Sequence, residues 1–342
     1  MKLGSYKSNG IRTFWYVYCY HSSGPGLFVR KQLTIAQPIE CSGVGLHSGQ
    51  PVTLTLRPAP PGTGIVFIRH GEGQPVSLKA SIANLMPSEL CTAIHVNGTS
   101  VRTVEHMLAA LVGLEIDNVY VDVDAPEVPV MDGSAGPFVR LIREAGIAPQ
   151  ERSRSFIKIV KPIEVTDGDR RVIIQPSAGS RITYSIEYDH PLIKKQTFVY
   201  DCSVTAFEQE IAEARTFGFL SEVEDLWARG LGKGGSLENT IVLSERNILN
   251  KTGLRFQDEF VRHKILDLIG DLALLGMPFI GHLIADRSGH ALHTKLVETV
   301  LGRTDSWILV NVDHSSAATT PKVAHQAFEG SPRLPLSVPS AI

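Results

Sequence analysis

The segment EFVRHKILDLIGDL at 259–272 combines two patterns at helical spacing. Its apolar residues recur every three or four positions, which predicts a helix with one face in a core. His263, Asp267 and Asp271 also follow one another at four-residue intervals, so they stack along one side of that helix. Because a helix turns by about 100° per residue, this polar stripe borders the apolar face. The pattern predicts an imidazole and two carboxylates at the edge of a core.

The order of predicted elements occurs twice along the chain. IAQPIE at 35–40 corresponds to IVKPIE at 159–164, and each precedes alternating apolar and polar runs that predict strands. Each half then contains a helix, a glycine, a strand and a second helix. We interpret this order as an internal duplication, with chance similarity of strand-rich segments as the alternative. The predicted fold class is α+β, with two similar domains that each pack a β-sheet layer with helices and an active site between them.

Composition and the repeat set the expected boundaries. Residues 1–30 form an amino-terminal extension with the aromatic stretch TFWYVYCY, which we expect to be disordered. A first α+β domain is predicted over 31–150 and a second over 156–310. The polar, proline-containing segment at 148–155 is the expected linker between them. Residues 311–342 are rich in Ala, Ser and Pro and are expected to form a loose tail.

Composition and charge also exclude several classes of protein. The chain has 342 residues and a net charge of −2, so it lacks the broad basic surface that would indicate a nucleic-acid partner. Its four cysteines form no CxxC pair, which argues against a thiolate zinc site and favours a reducing, cytoplasmic location. No apolar run has the length that stable membrane insertion requires. We expect a monomer.

The polar stripe has the spacing of a metal site. A His and an Asp four residues apart on a helix can reach one ion, and His106 on the corresponding helix of the first half would complete a set of two His and one Asp. A zinc ion held in this way keeps a position for water, whose pKa then falls towards ~7. Glu105 could then act as the general base. The alternative is a surface ion pair between His263 and Asp267, with Glu105 as a first-turn charge.

Six motifs in order strengthen the first interpretation. They are GVGLHSG, TVEHMLAAL, MDGSAGPFV, ARTFGF, GLRFQDEFVRHKILDLIGDL and SGHAL. Together they resemble the UDP-3-O-acyl-N-acetylglucosamine deacetylase family, and the resemblance extends from about Lys31 to about Val310. That family consists of zinc amidases that hydrolyse the N-acetyl group of UDP-3-O-(3-hydroxyacyl)-N-acetylglucosamine. The products are the free amine and acetate, in the committed step of lipid A biosynthesis.

The resemblance implies a role for each residue of the metal site. One Zn²⁺ per chain would be bound by His106, His263 and Asp267, with Fe²⁺ as the alternative metal in the cell. Glu105 would be the general base. These assignments agree with the metal site that the spacing of the polar stripe predicts. The resemblance also implies roles for catalytic residues around that site.

Four further catalytic residues are implied by the resemblance alone. His290, in the motif SGHAL, would be the general acid, and Asp271 would orient it. Thr216 would donate a hydrogen bond to the acetyl oxygen as it becomes tetrahedral. Lys264 would point away from the neighbouring ligand and meet the anionic substrate.

The segment after Phe219 reads as a short helix followed by a strand, and the resemblance implies that it forms an apolar passage for the acyl chain. For each of its residues, ordinary core packing is the alternative. Glu187 and Tyr188 match the region that meets the uridine. The implied contacts near the reacting group and along the passage are Phe217, Leu220, Val223, Ser236, Leu237 and Val242.

Two other functions are consistent with the same ligands. An Fe(II) oxygenase also uses two His and one carboxylate, although such ligands usually lie on a β-barrel instead of helices. A protein that binds a lipid-linked nucleotide through a structural metal would need a closed site with four ligands, and the open fourth position argues against it. Dependence on oxygen distinguishes the first alternative, and a fourth ligand distinguishes the second.

Overall fold

A computed structural model describes residues 30–88 and 90–311. The expected amino-terminal extension and carboxyl-terminal tail lie outside the described residues, except for Arg30 and Asn311. The described part is a mixed α and β structure with several sheets, which confirms the predicted fold class. None of the helices in this part is long and apolar enough to cross a membrane.

The first half contains the strands β1 to β10 and the helices α1 and α2. The strands are β1 Lys31–Ile35, β2 Ile39–Val44, β3 Pro51–Pro58, β4 Ile65–Arg69, β5 Val76–Lys79, β6 Leu85–Met86, β7 Ala93–Val96, β8 Thr99–Val101, β9 Val119–Val123 and β10 Ile147–Ser153. The helices are α1 Glu105–Gly113 and α2 Gly136–Ala145, with a 3₁₀ turn at Ile82–Asn84.

The second half contains the strands β11 to β19 and the helices α3 to α6. The strands are β11 Ser155–Ile159, β12 Ile163–Asp167, β13 Arg170–Gln175, β14 Ser180–Tyr188, β15 Lys194–Asp201, β16 Phe217–Phe219, β17 Ile241–Leu243, β18 Phe279–Asp286 and β19 Trp307–Asn311. The helices are α3 Val204–Ala206, which continues as a π-helical turn at Phe207–Ile211, α4 Val223–Ala228, α5 Glu259–Leu272 and α6 His290–Gly302. Short 3₁₀ turns lie at Leu220–Glu222 and Ala273–Leu275.

The main sheets of the two halves have the same strand order. In the first half the order is β2-β3-β9-β4-β5, and in the second it is β12-β13-β18-β14-β15. In both sheets the successive pairings are antiparallel, antiparallel, parallel and antiparallel. The second sheet also continues from β18 through β11 to β19. The matched order supports the interpretation of a duplication.

Apolar alternation along the strands buries one face of each sheet. In β3, Val52, Leu54 and Leu56 are buried, whereas Thr53 and Thr55 between them are partly exposed. The helix α1 is different, because all of its residues from 105 to 111 are buried. A helix that is apolar on all sides must lie inside a protein. It packs against α5 of the other half.

The helices α1 and α5 cross at a glycine. A Cβ atom on Gly270 would lie 2.1 Å from the carbonyl oxygen of Glu105 and 2.8 Å from its Cα atom. Backbone atoms cannot move aside as the end of a flexible side chain can, so glycine alone permits this approach. The crossing places the first turn of α1 directly beside the polar stripe of α5.

The connection between the halves differs from the expected linker. Residues Ile147–Ser153 form β10, which pairs with β1 in an antiparallel ribbon from Ile35 and Ile147 to Lys31 and Ser153. A two-stranded ribbon leaves most of its side chains partly or fully exposed, so a polar composition suits it. The polarity of this segment therefore indicates exposure and not the absence of regular structure.

Candidate active site

Three side chains from the two halves converge where α1 meets α5. His106 is the second residue of α1, and His263 and Asp267 lie one turn apart on α5. Oδ1 of Asp267 is 3.3 Å from Nε2 of His263 and 3.7 Å from Nε2 of His106. Ligand atoms of a tetrahedral zinc site, each about 2.0–2.1 Å from the ion, are about 3.3 Å apart. The spacing of these donor atoms therefore suits one metal ion.

The protonation of the two ligands on α5 also suits a metal. Nδ1 of His263 is 3.0 Å from the carbonyl oxygen of Ala214, so it carries the proton and leaves the Nε2 lone pair free. Burial lowers the pKa of His263 to about 3, which keeps the ring neutral. Burial opposes ionisation of Asp267, but the ammonium group of Lys264 favours the carboxylate, and the pKa of that carboxyl lies well below its usual range.

A buried ion pair fixes the segment that carries Ala214. Glu259, the first residue of α5, accepts hydrogen bonds from Nε and Nη2 of Arg215 at 2.8 and 3.1 Å. The same carboxylate accepts the backbone N–H of Arg215 at 3.0 Å. This ion pair holds the ARTFGF motif against the amino-terminal end of α5. It thereby fixes the position of the Ala214 carbonyl that orients His263. No pattern in the sequence indicated this ion pair.

Glu105 is a buried carboxylate next to a metal-ligand candidate. It is the first residue of α1, and its Oε2 accepts the backbone N–H of Thr92 at 2.9 Å. Burial raises the pKa of Glu105 to about 7. A carboxylate with a pKa near neutrality can both accept and return a proton at physiological pH, which is the property of a general base.

His290 forms an ion pair one turn further along α5. It is the first residue of α6, and its Nδ1 lies 2.8 Å from Oδ2 of Asp271. Burial alone would favour the neutral ring, but the charge and hydrogen bond of Asp271 raise the pKa of His290 to about 10. The structure therefore brings His290 and Asp271 together, and a pKa of about 10 makes His290 a cation at neutral pH.

Thr92, which the sequence analysis missed, connects the two groups. Its backbone N–H donates to Glu105, and its hydroxyl donates to Oδ1 of Asp271. It lies just before β7, in a part of the chain that contains no motif suggesting a role. Only the fold brings this threonine to the site. His293 also contacts Asp271, and its spacing of three residues from His290 is a signal that the sequence did offer.

The loop before α2 supports Thr216. The carbonyl oxygen of Gly133 accepts the backbone N–H of Thr216 at 2.8 Å, and the carbonyl oxygen of Thr216 accepts that of Ile241 at 2.8 Å. Gly133 has a φ of +85°, and a Cβ atom there would lie 1.9 Å from the carbonyl oxygen of Asn239. The Thr216 backbone is thus held from both sides, and its side chain is partly exposed.

Lys264 has a contact that its expected role did not include. Its Nζ lies 3.2 Å from Oδ2 of Asp267, the oxygen that does not face the two histidines, and 5.6 Å from the centre of the Phe217 ring. Lys264 therefore pairs with a metal-ligand candidate, and its neighbour His263 lies against the other oxygen of the same carboxylate. The helical spacing of three residues explains the contact.

The segment from residue 220 to 243 forms a short helix, α4, and then a strand, β17, as predicted. It carries several exposed apolar side chains: Leu220 is 48%, Trp227 59% and Leu237 46% exposed. Val223, Ser236 and Val242 are partly exposed. Ordinary core packing would bury such residues, so Leu220 and Leu237 are not core residues.

Aromatic rings connect the metal-ligand candidates to a cavity beside Tyr188. The ring of Phe217 lies 6.4 Å from that of His263 and 5.8 Å from that of Tyr188. Tyr188 and Glu187 line a cavity of about 520 Å³, together with Lys194 and Lys195. Asp189 also lines this cavity, so the two residues expected near the uridine share it with both cationic and acidic side chains.

The geometry of the site defines a class of protein. Metal-ligand spacing on two facing helices is combined with a buried carboxylate of raised pKa and an imidazolium nearby. Metal-dependent hydrolases use this combination, because they need a base for the attacking water and an acid for the leaving group. The fold and the site thus describe a metal-dependent hydrolase.

Known proteins narrow this class to one family. Residues 32–302 match the family model described as UDP-3-O-acyl N-acetylglycosamine deacetylase, LpxC. A relative from Myxococcus xanthus, named UDP-3-O-acyl-N-acetylglucosamine deacetylase, is 51% identical over 270 residues, which cover 79% of this chain and 86% of the relative. Relatives of the same name from Hahella chejuensis and Pasteurella multocida are 48% and 47% identical, cover 84% of this chain, and are themselves covered to 96% and 95%. The chain belongs to the LpxC family of deacetylases.

Proposed function

We propose that this protein hydrolyses the N-acetyl group of UDP-3-O-(3-hydroxyacyl)-N-acetylglucosamine to the free amine and acetate. This would be the committed step of lipid A biosynthesis. The observation that carries the proposal is the convergence of His106, His263 and Asp267 beside Glu105 in a chain of the LpxC family. We further propose that the protein acts as a monomer in the cytoplasm.

The donor set fits zinc, with Fe²⁺ as the alternative in the cell. Two neutral imidazoles and one carboxylate are ligands that both ions accept, and the donor spacing given above agrees with a tetrahedral zinc site. When bound there, the ion would lower the pKa of the attacking water and polarise the amide carbonyl. The ion pair between Lys264 and Asp267 would hold the carboxylate in its ligating orientation.

Glu105 and His290 would divide the proton transfers between them. Glu105 would take a proton from the attacking water, for which its pKa of about 7 is suited. His290, charged at neutral pH, would give its proton to the leaving nitrogen. The Thr216 hydroxyl would donate to the acetyl oxygen as negative charge develops there. The products require both transfers, because the amine leaves protonated or neutral and not as an anion.

The second half would hold the remainder of the substrate. We propose that the acyl chain lies along Leu220, Val223, Ser236, Leu237 and Val242, with Phe217 near the reacting group. The exposed apolar side chains of this segment support the assignment. The nucleotide would occupy the cavity lined by Glu187 and Tyr188. Lys264, which lies next to Phe217, would meet the anionic part of the substrate.

Acetate release from the acylated UDP-sugar tests the proposal. We expect turnover by the metal-loaded protein, loss on treatment with a chelator, and recovery when one equivalent of Zn²⁺ is added. UDP-N-acetylglucosamine without the acyl chain serves as the comparison substrate and should react far more slowly. Failure of the loaded protein to release acetate from the acylated substrate would overturn the proposed function.

A further inference from the structure

His293 lies behind the proposed general acid, in contact with the carboxylate that supports it. Its ring is completely buried in α6, three residues after His290. Nδ1 of His293 lies 2.7 Å from Oδ2 of Asp271, and Nδ1 of His290 lies 2.8 Å from the same oxygen. Two imidazoles therefore share one carboxylate oxygen.

These distances indicate hydrogen bonds and not a second metal site. Asp271, His290 and His293 place their donor and acceptor atoms near one another, as metal ligands do. However, ligand atoms around one zinc ion are about 3.3 Å apart. Separations of 2.7 and 2.8 Å leave a proton, and no ion, between each nitrogen and the oxygen.

The far side of the His293 ring is also fixed. Nε2 lies 2.9 Å from the Ser288 hydroxyl and 3.1 Å from the Tyr184 hydroxyl. Nδ1 faces a carboxylate oxygen, which can only accept, so Nδ1 carries a proton. Tyr184 donates to the carbonyl oxygen of Ser288, and the Ser288 hydroxyl lies within donating distance of both the Tyr184 hydroxyl and Nε2. A neutral His293 with its proton on Nδ1 can therefore accept at Nε2. Burial, which lowers the pKa of His293, favours the same form.

We propose that His293 is a positioning residue for the deacetylation: its Nδ1–H holds Oδ2 of Asp271 in place and shares that oxygen with His290. The inference rests on the proposed function, because it concerns the proton that His290 would deliver. It assigns no contact with the substrate to His293. Ser288 and Tyr184 anchor the ring, the ring anchors the carboxylate, and the carboxylate orients His290.

The proposal predicts how His290 changes when His293 is replaced. The charged groups that face His290 are Asp271 and Asp267 from α5 and Glu105 from α1, with neutral His293 on its own helix. Loss of the His293 donor leaves more of the Asp271 charge to His290, so the His290 imidazolium becomes harder to deprotonate. Its orientation also becomes less defined, which lowers kcat.

A pair of variants tests this in the zinc-loaded, full-length protein. His293→Leu removes the donor, whereas His293→Asn retains an amide N–H near the position of Nδ1. We expect the alkaline limb of the kcat/KM profile to move up by about one pH unit in His293→Leu, the size expected when a carboxylate loses one donor. We expect kcat to fall by about tenfold, and His293→Asn to restore both values largely.

His293→Gln replaces His293→Leu as the partner of His293→Asn if the apolar variant does not fold. Its amide reaches the position of Nε2, so it retains a contact with Ser288 and leaves Asp271 without this donor. His282→Leu is the matched control, because it removes an imidazole that bonds the Thr183 hydroxyl in β14. Equal alkaline limbs for the Asn and Gln variants would overturn the proposal.

A measurement without substrate separates this inference from the proposed function. The titration of His290 can be followed by ¹⁵N resonances of its imidazole in wild type and in the variants. We expect its midpoint to rise in His293→Leu or His293→Gln and to return towards wild type in His293→Asn. An unchanged midpoint would refute the role of His293, even if deacetylation is established. Conversely, a shifted midpoint in a protein that releases no acetate would refute only the proposed reaction.

Discussion

The two halves of the molecule share one sheet order, but their helices carry different chemistry. In the first half, α1 contributes Glu105 and His106 within its first turn. In the second half, the corresponding helix α5 contributes His263 and Asp267 along its length. The helix that follows the central strand begins at Gly136 in the first half and, in the second half, at His290.

This difference shows which properties belong to the fold and which belong to individual positions. The repeated architecture supplies two helices that face each other and cross at Gly270. It does not supply the metal-ligand candidates symmetrically, since one comes from α1 and two from α5. The segments before these helices also differ, because the first half provides Thr92 and the second provides Thr216 and the apolar segment. Neither half contains a complete site.

The largest expected effect comes from removing a ligand contributed by either half. His106→Ala and His263→Ala should each abolish stoichiometric zinc binding and acetate release, because two remaining ligands hold zinc poorly. Metal content by atomic spectroscopy and turnover of the acylated substrate are the measurements. His95→Ala, which alters an exposed histidine, is the control. Full zinc content in either variant would show that the replaced histidine is not a zinc ligand.

The next effect separates metal binding from proton transfer in the first half. Glu105→Gln should retain zinc and lose roughly 10²–10⁴-fold in kcat, the contribution of a positioned base. The amide keeps the size of the side chain and can still accept the hydrogen bond from Thr92. Normal turnover with full zinc content would show that Glu105 is only a charge in the first turn of α1.

The contact between the halves is tested by Gly270→Ala. Its Cβ atom would meet the backbone of Glu105 at 2.1 Å, so α1 and α5 must separate. We expect a loss of about 2–3 kcal/mol in the free energy of unfolding, measured with denaturant, together with weaker zinc binding. Gly302→Ala is the matched control, because it is also helical and a Cβ atom there meets nothing within 4 Å. Equal stabilities would show that the crossing tolerates a side chain.

The apolar segment of the second half is tested by Val242→Trp. A larger side chain at this partly exposed position should shorten the proposed passage and discriminate against long acyl chains. We expect kcat/KM for long chains to fall by about tenfold, which corresponds to roughly two buried methylenes, with little change for short chains. Val199→Trp, on an exposed part of β15, is the control. A uniform loss at all chain lengths would argue against a passage at Val242.

The smallest expected effect is a pH dependence that arises from the second half. Because folding raises the pKa of His290 from its ordinary value of 6.5 to about 10, this group stabilises the folded state below pH 6.5. That contribution should disappear as the pH rises through 10. In metal-free protein, we expect the stability advantage of wild type over His290→Asn to shrink by about 1–2 kcal/mol between pH 7 and 10. A constant difference across this range would show that Asp271 does not stabilise a charged His290.

Much of the fold and the centre of the site could be predicted from the sequence. Spacing along a helix is a local property, so the order of residues alone reveals the stripe of His263, Asp267 and Asp271. The resemblance to the deacetylase family supplied His290 and Thr216, which lie far away along the chain. The site contacts that the sequence analysis missed depend on the folded chain. Thr92 reaches Glu105 and Asp271 only through the fold, and Arg215 reaches Glu259 across 44 residues.

For the segment 148–155 and for Lys264, the sequence did not reveal a contact that forms in the folded chain. The polarity of 148–155 predicts a linker, yet most of this segment forms β10, whose ribbon leaves most side chains at least partly exposed. Lys264 is expected to meet the substrate because it adjoins the metal-ligand candidate His263. In the structure it also pairs with Asp267, the candidate three residues later. Composition and adjacency do not reveal the partner strand in the first case or the helical neighbour in the second.

The ribbon of β1 and β10 has a consequence for the history of the molecule. It places the entry and exit of the first half side by side, with Lys31 opposite Ser153. A segment whose two ends meet can be copied or inserted without stretching the chain around it, which is the condition that tandem gene duplication and domain insertion require. The ribbon therefore gives the first half the adjacent ends of a transferable module, and an internal duplication would have copied it without separating them.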